Sequence, residues 1–295
     1  IAIAGFGLLT AASVCFAAIR LGPASALDPF DIGPAEKQPI ARQLGVDADP
    51  VTGYLTYVDR LLTLDLGEPF YGTDGPTGRL LAETAPNTAV VVAGALALVT
   101  LVAVPVGLVA GSRDGRVGAA LETIPLLGRT APNFLVAAFV VIFLRPGTLS
   151  GRFSLLAVAA VIAAGALVAS RIRTVSRAVR EARRDGHVDA ARAKGLSRRS
   201  VWLRHLAPVA LLAHLRRVTD DATYLVGAVV VVEVVLAPPS GGLGSLFFRA
   251  SITSGFPLVA TLVVLSTAGV VTVRLLGDLA LALVDPRVGP RAGRS

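Results

Sequence analysis

Charged residues set inside apolar runs are the first places where this sequence could do chemistry. Arg216 and Asp220 stand four apart, as do Arg217 and Asp221, in a stretch otherwise rich in Leu, Val and Ala. On a helix each pair shares a face and can meet as an ion pair. They lie roughly 15 Å beyond Pro208 on a helical rise, near the middle of a membrane-length run. Two readings stand. The groups form internal ion pairs or contact a partner subunit, or they line a conduit and hold the charged ends of a solute. Arg274 and Asp278 repeat the spacing, and there a structural pair is expected. Arg129 has no adjacent partner, with Glu122 two turns back on the same face. Glu233 lies further along the run that holds Asp221. Arg129, Arg217, Asp220, Asp221 and Glu233 are the candidate pathway residues.

Enzymatic chemistry finds little support. No Gly-x-x-x-x-Gly-Lys-Ser/Thr phosphate loop is present, and neither Lys37 nor Lys194 lies in such a context. His187, His205 and His214 form no His-x-x-x-His or His-Glu pair suited to zinc. Cys15 is the one cysteine, which excludes an intramolecular disulfide and a thiolate cluster. Leu149-Ser150-Gly151 is a fragment of an intramembrane serine-protease motif, but Thr148 replaces its first glycine and no histidine shares its side. No catalytic, metal-binding or cofactor-binding residue is assigned.

The elements that hold these charges are long apolar runs. Hydrophobic residues make up 54% of the 295 positions and charged residues only 16%, against about a quarter charged in soluble domains. The fold class expected is all-α and integral to the membrane, with six spans at approximately 1–20, 87–110, 119–144, 153–173, 206–236 and 257–283. Each run is about the 20 residues that cross a hydrocarbon core as a helix. Gly- and Pro-rich breaks at 111–115, 145–147 and 238–242 separate them. The chain lacks Met and opens inside an apolar run. A short preceding cytoplasmic segment is therefore expected, and no small-residue cleavage pattern stands near Gly22.

Orientation follows from Lys and Arg. The loop 171–205 carries eleven basic and three acidic residues, a surplus equal to the formal net charge of +8 for the whole chain. The tail 284–295 adds Arg287, Arg291 and Arg294, whereas the segment 22–86 is acidic. The first two are expected in the cytoplasm, with both termini, and the third outside. Contact with anionic lipid suits the basic loop. Nucleic acid does not, because Trp202 is its only aromatic residue.

Within that loop, Asp189-Ala190-Ala191-Arg192-Ala193-Lys194-Gly195 predicts a short helix ended by Gly195 at positive φ. A turn and a re-entry through His205 and Pro208 are expected after it. The pattern resembles the EAA loop of ABC-importer permeases. Asp189 stands for the Glu, Ala190, Ala191 and Gly195 match, and Pro208 falls at the expected distance. His205 and Ala207 depart from the apolar residue and the Leu near that end. Ala191 to Ser197, with Lys194 and Leu196, is similar to the dipeptide/oligopeptide branch. So are Leu44-Gly45-Val46-Asp47, Tyr54-Leu55, Asp65-Leu66-Gly67, Pro132-Asn133-Phe134, Val230 to Glu233, Gly242-Leu243-Gly244 and Asp285-Pro286-Arg287-Val288.

The resemblance implies one transmembrane permease domain over 1–295, multi-pass in a bacterial cell membrane, forming half of a pathway for di- or oligopeptides. It implies a second similar permease, two ATP-binding cassette domains and an extracytoplasmic substrate-binding protein as partners. The chain itself would hold no cofactor, with ATP and Mg on the partner ATPase. The short helix, with Asp189, Ala190, Ala191, Lys194, Gly195, Leu196 and Pro208, would couple the spans to that ATPase, and Glu233 would serve a gate or contact the binding protein. A nickel permease of the same branch and an ion-coupled secondary transporter are the alternatives, the latter from the buried Arg and Asp residues.

Overall fold

The computed structural model describes residues 2–21, 38, 41–42, 45–63, 76–143, 152–236, 241–252 and 256–284. Among these the structure is helical, with no strand. The helices are α1 (Ala2–Leu21), α2 (Pro50–Thr63), α3 (Thr77–Ser112), α4 (Arg116–Thr123), α5 (Asn133–Phe143), α6 (Arg152–Arg184), α7 (Gly186–Ala193), α8 (Arg198–Val201), α9 (Ala207–Leu236), α10 (Leu243–Ile252) and α11 (Phe256–Val284). Asp65-Leu66-Gly67, Leu149-Ser150-Gly151 and Asp285 to Val288 lie outside the described residues, as does Leu44.

Three stretches combine the length and apolarity needed to cross a membrane: Thr77–Ser112, Leu155–Arg184 and Leu258–Leu279. Their surfaces read inside-out for a protein in water. Leu101, Val161 and Leu276 are exposed, as fits side chains that face lipid tails.

The third expected span is not one helix. After α4 the chain tightens into a 3₁₀ segment, Ile124–Arg129, and regains α-helix only at Asn133. Pro125 and Pro132 remove backbone donors and disfavour helix in the residues before them, and Gly128 weakens the stretch between. The remaining α5 has 11 residues, about 16 Å, roughly half of a hydrocarbon core. Conversely, α6 continues well past its apolar part. Its 33 residues reach about 50 Å, so Arg171–Arg184 is helix rather than loop. Arg, Ala and Glu favour that continuation, and no breaker intervenes before Asp185-Gly186.

The chain divides into two compact units. One is Ile1–Thr88 with Ser240–Thr272, the other Ala89–Pro239 with Val273–Ser295. In the first, α2 packs on α1 through Phe16, Tyr54 and Tyr57. Arg20 donates to the carbonyl oxygens of Ala48 (3.0 Å) and Gly45 (3.4 Å). Asp49 caps α2 by accepting from the amides of Val51 and Thr52. Hydrogen bonds from Thr52 hold the Asp49 carboxyl below the usual carboxylate range. The start of α10 is fixed by Thr88, whose Oγ1 accepts from the Leu243 amide at 2.8 Å.

The second unit is built on α6, which packs most extensively against α9. Its inward side is rich in Ala, with Ala159, Ala163 and Ala169 fully buried. Small residues permit close helix approach where lipid offers no hydrophobic driving force. The same device joins α3 to α6. A Cβ on Gly107 would lie 2.7 Å from that of Val175, and one on Gly111 would lie 2.6 Å from the Ser176 carbonyl oxygen. Gly107 and Gly111 form the Gly-x-x-x-Gly spacing for this approach. It was visible in the sequence and is an addition to the residues singled out above.

Candidate functional site

The short helix predicted in the basic loop is α7. Asp185 bends the chain at the end of α6, and its carbonyl accepts from the Val188 amide at 3.1 Å. Gly195 ends α7 with φ of 79°, which an L side chain tolerates poorly. The Leu196 amide returns to the Ala191 carbonyl at 3.3 Å, the six-to-one bond of a Schellman cap. Leu196 packs against the same buried cluster as Ala191, which is the apolar contact that accompanies such a cap.

The two faces of α7 differ in kind. Val188 and Ala191 are buried among Val175, Val179, Val201 and Leu206. Asp189, Ala190, Ala193, Lys194 and Gly195 are exposed. The two adjacent alanines thus have opposite roles. Ala191 seats the helix on α6 and α9's leading segment, while Ala190 belongs to a small-residue outer face. A 100° step per residue separates them. A Cβ on Gly195 would meet nothing within 4 Å. That end of α7 is open for another surface to approach.

Downstream the chain turns at 194–197 and, as expected, leads back through His205 and Pro208 into a long helix. Ser197 caps α8 by accepting from the Ser200 amide at 3.2 Å, and helix then runs through a π turn, Trp202–Leu206, directly into α9. Pro208 lies in the first turn of α9 and is exposed. It cannot donate to a carbonyl in the preceding turn, and its ring crowds the carbonyl four residues back. The π turn takes up the mismatch: the Ala207 amide bonds to Trp202, five residues back.

Side chains fasten this end of the unit. Arg183 reaches the Gly111 carbonyl at 3.1 Å and pairs with Asp114 at 2.9 Å. That guanidinium holds the Asp114 carboxyl below its ordinary range. Trp202 Nε1 donates to Ser112 Oγ at 2.8 Å. Glu122 is taken by Arg180 and Ser176, which links α4 to α6. Of Arg129 itself only the backbone is described.

The expected Arg217–Asp221 pair is also corrected. Asp221 is fully buried and pairs with Arg171 across from α6, with Nε 2.7 and 2.6 Å from the two carboxylate oxygens. Arg217 instead meets Asp220 at 3.4 Å on the exposed side. A carboxylate inside the unit gains more from a bidentate guanidinium than from a partner facing outward. Glu233 is fully buried too. Hence the structure brings Arg217 and Asp220 together and places Asp221 and Glu233 inside the subunit. Two turns before Asp221, His214 is buried with Nε2 2.9 Å from Thr100 Oγ1. Arg274, expected beside Asp278, donates to Thr223 Oγ1 at 3.0 Å. Among the described residues no group of His, Cys, Asp or Glu converges on a metal-sized site.

Long apolar helices packed through small residues, with Arg171 and Asp221 paired between two of them, define a helical integral membrane protein. Residues 103–290 match the family of binding-protein-dependent transport system inner membrane components, and the chain belongs to that family. Curated relatives agree over most of their length. The oligopeptide transport system permease protein AppB of Bacillus subtilis is 23% identical over 279 residues, covering 89% of this chain and 87% of that one. The dipeptide transport system permease protein DppB of Lactococcus lactis is 23% identical over 283 residues, with 94% and 93% covered. The oligopeptide transport system permease protein OppB of Escherichia coli K12 is 26% identical over 250 residues, with 81% of each covered.

Proposed function

We propose that this chain is the permease subunit of an ATP-driven importer of di- and oligopeptides, and that α7 is its coupling helix. The two-faced α7 carries the reading. Its outer face of Asp189, Ala190, Lys194 and Gly195 has the small, open surface that a cleft on a cytoplasmic ATPase requires. Its inner face sits on α6 and α9's leading segment through Val188 and Ala191. Displacement of α7 is therefore passed to two membrane helices, which Arg171 and Asp221 tie together. ATP and Mg belong to the ATPase, and this chain's residues receive and transmit its motion. A second, similar permease completes the pathway, and an extracytoplasmic binding protein delivers the peptide. Arg217 and Asp220 are the exposed charges positioned to meet substrate or the partner permease. The substrate class follows the relatives, each named for oligopeptide or dipeptide transport.

This reading puts 22–86 outside and the basic end of α6 in the cytoplasm, with both termini. Because Cys15 is the only cysteine and is buried, introduced thiols report without interference. A cysteine at exposed Asp47 is expected to react with an impermeant maleimide on intact cells. One at exposed Arg184 should react only after lysis. The reverse labelling contradicts the orientation and, with it, the docking of α7.

A further inference from the structure

Beside the coupling helix lies a cavity of about 950 Å³ that the transport reading leaves unused. Arg113, Arg183, Arg198 and Arg199 line it, and no carboxylate does. Arg183 is committed to Asp114 and the Gly111 carbonyl, whereas Arg113, Arg198 and Arg199 are exposed. Val109, Leu196, Val201 and Leu206 add an apolar part to the lining. Trp202 adds its ring, with Nε1 already held by Ser112. The volume is roughly thirtyfold the ~30 Å³ share of one water in the liquid, far more than a lone phosphate ion fills. The cavity opens where α3, a membrane-length helix, ends at Ser112.

We propose that this cavity binds the phosphodiester headgroup of an anionic phospholipid, with the proximal acyl chain against the apolar part of the lining. Guanidinium groups match phosphate oxygens in a fork-like, charge-assisted geometry. A lining that combines arginines with aliphatic side chains at a helix end suits a molecule that is anionic at one end and apolar at the other. The cytoplasmic leaflet supplies such lipids. Placement of the cavity in that leaflet rests on the orientation proposed above. Bound there, the lipid touches Leu196 and Arg198, immediately after the cap of α7, and steadies the coupling helix.

Trp202 is the only tryptophan of the chain, so its fluorescence reads the cavity directly. The full-length chain is placed in nanodiscs containing phosphatidylglycerol or phosphatidylcholine brominated on the acyl chains at equal mole fraction. Brominated phosphatidylglycerol is expected to quench Trp202 preferentially, with local enrichment on the order of tenfold from the clustered arginines. The preference should vanish in Arg113→Gln/Arg198→Gln/Arg199→Gln and persist when the same three become Lys. It should also persist in Arg173→Gln/Arg177→Gln/Arg184→Gln, which removes equal charge outside the cavity. Raising salt on the unsubstituted chain gives a readout free of any folding defect, and the preference should shrink.

Equal quenching by the two lipids overturns the proposal. Equal loss in both Gln triples also overturns it, by reducing the effect to diffuse attraction. If inorganic phosphate abolishes the preference at concentrations too low for screening, the site takes a free anion and the lipid assignment fails. No lipid preference, together with lost ATPase copurification in the first Gln triple, assigns the arginines to an acidic ATPase segment instead. Quenching needs neither ATPase nor peptide, so its failure is separable from failure of the transport reading.

Discussion

Gly195→Asp is expected to leave the chain in the membrane at normal abundance, release the ATPase during purification and reduce peptide uptake to background. The fold survives because a Cβ at Gly195 meets nothing within 4 Å. The local cost is the strain of φ at 79°, roughly 1 kcal/mol for a side chain there. The effect on docking is larger, since the new carboxylate stands on the face that enters the cleft. A charge buried without a partner at the centre of an interface costs about 2 kcal/mol or more, on the order of thirtyfold in affinity. Ala190→Asp should act in the same way from the exposed face of α7. Ala191→Asp should not: it buries a charge in the cluster of Val175, Val179 and Leu206, and loss of the folded chain is expected. ATPase copurification and labelled-peptide uptake, each normalised to permease abundance, check all three. Normal uptake by both surface variants contradicts the assignment of α7.

The second large effect is expected at Asp221. Asp221→Leu strands the Arg171 guanidinium within the unit, and removal of one partner from a buried pair costs about 3–5 kcal/mol. Low yield and a lowered melting temperature of the solubilised chain should follow. Arg171→Leu with Asp221→Leu removes both charges and should restore yield and melting, because apolar side chains replace a buried ion pair at little cost. Uptake decides the role of the pair. If it is a clamp between α6 and α9, the double variant transports. If Asp221 meets substrate, the double variant folds and assembles but uptake stays low. By contrast, Arg217→Leu with Asp220→Leu leaves melting nearly unchanged, since an exposed pair contributes about 0–1 kcal/mol.

Which parts of this were legible in the sequence depended on how local their causes are. The positive φ at Gly195 could be foreseen because a helix end and its glycine are neighbours in the chain. The apolar cores of α3, α6 and α11 were legible from run length. The partner of Asp221 was not. Arg171 lies 50 residues away on another helix, and the i, i+4 rule offers Arg217, which the fold turns outward. Glu122 was hidden in the same way, since Arg180 reaches it from α6. In the third span the signals were present but outweighed: Pro125, Gly128 and Pro132 sit in a run apolar enough to pass as one helix. At Arg171–Arg184 the density of charge suggested a loop, although Val175, Val179 and Ala182 at helical spacing already marked a buried face. The different duties of Ala190 and Ala191 were implicit in their 100° separation.

Inward passage of peptides through this chain is proposed to be driven by ATP hydrolysed on a partner. The most direct measurement is uptake of a labelled oligopeptide by proteoliposomes holding the purified permease pair and ATPase, with ATP on the ATPase side and the binding protein on the other. Peptide accumulation that requires both ATP and the binding protein, and that persists when ionophores collapse every ion gradient, is the expected result. Accumulation driven by an ion gradient without ATP would contradict the account and return the buried Arg and Asp residues to an ion-coupled transporter.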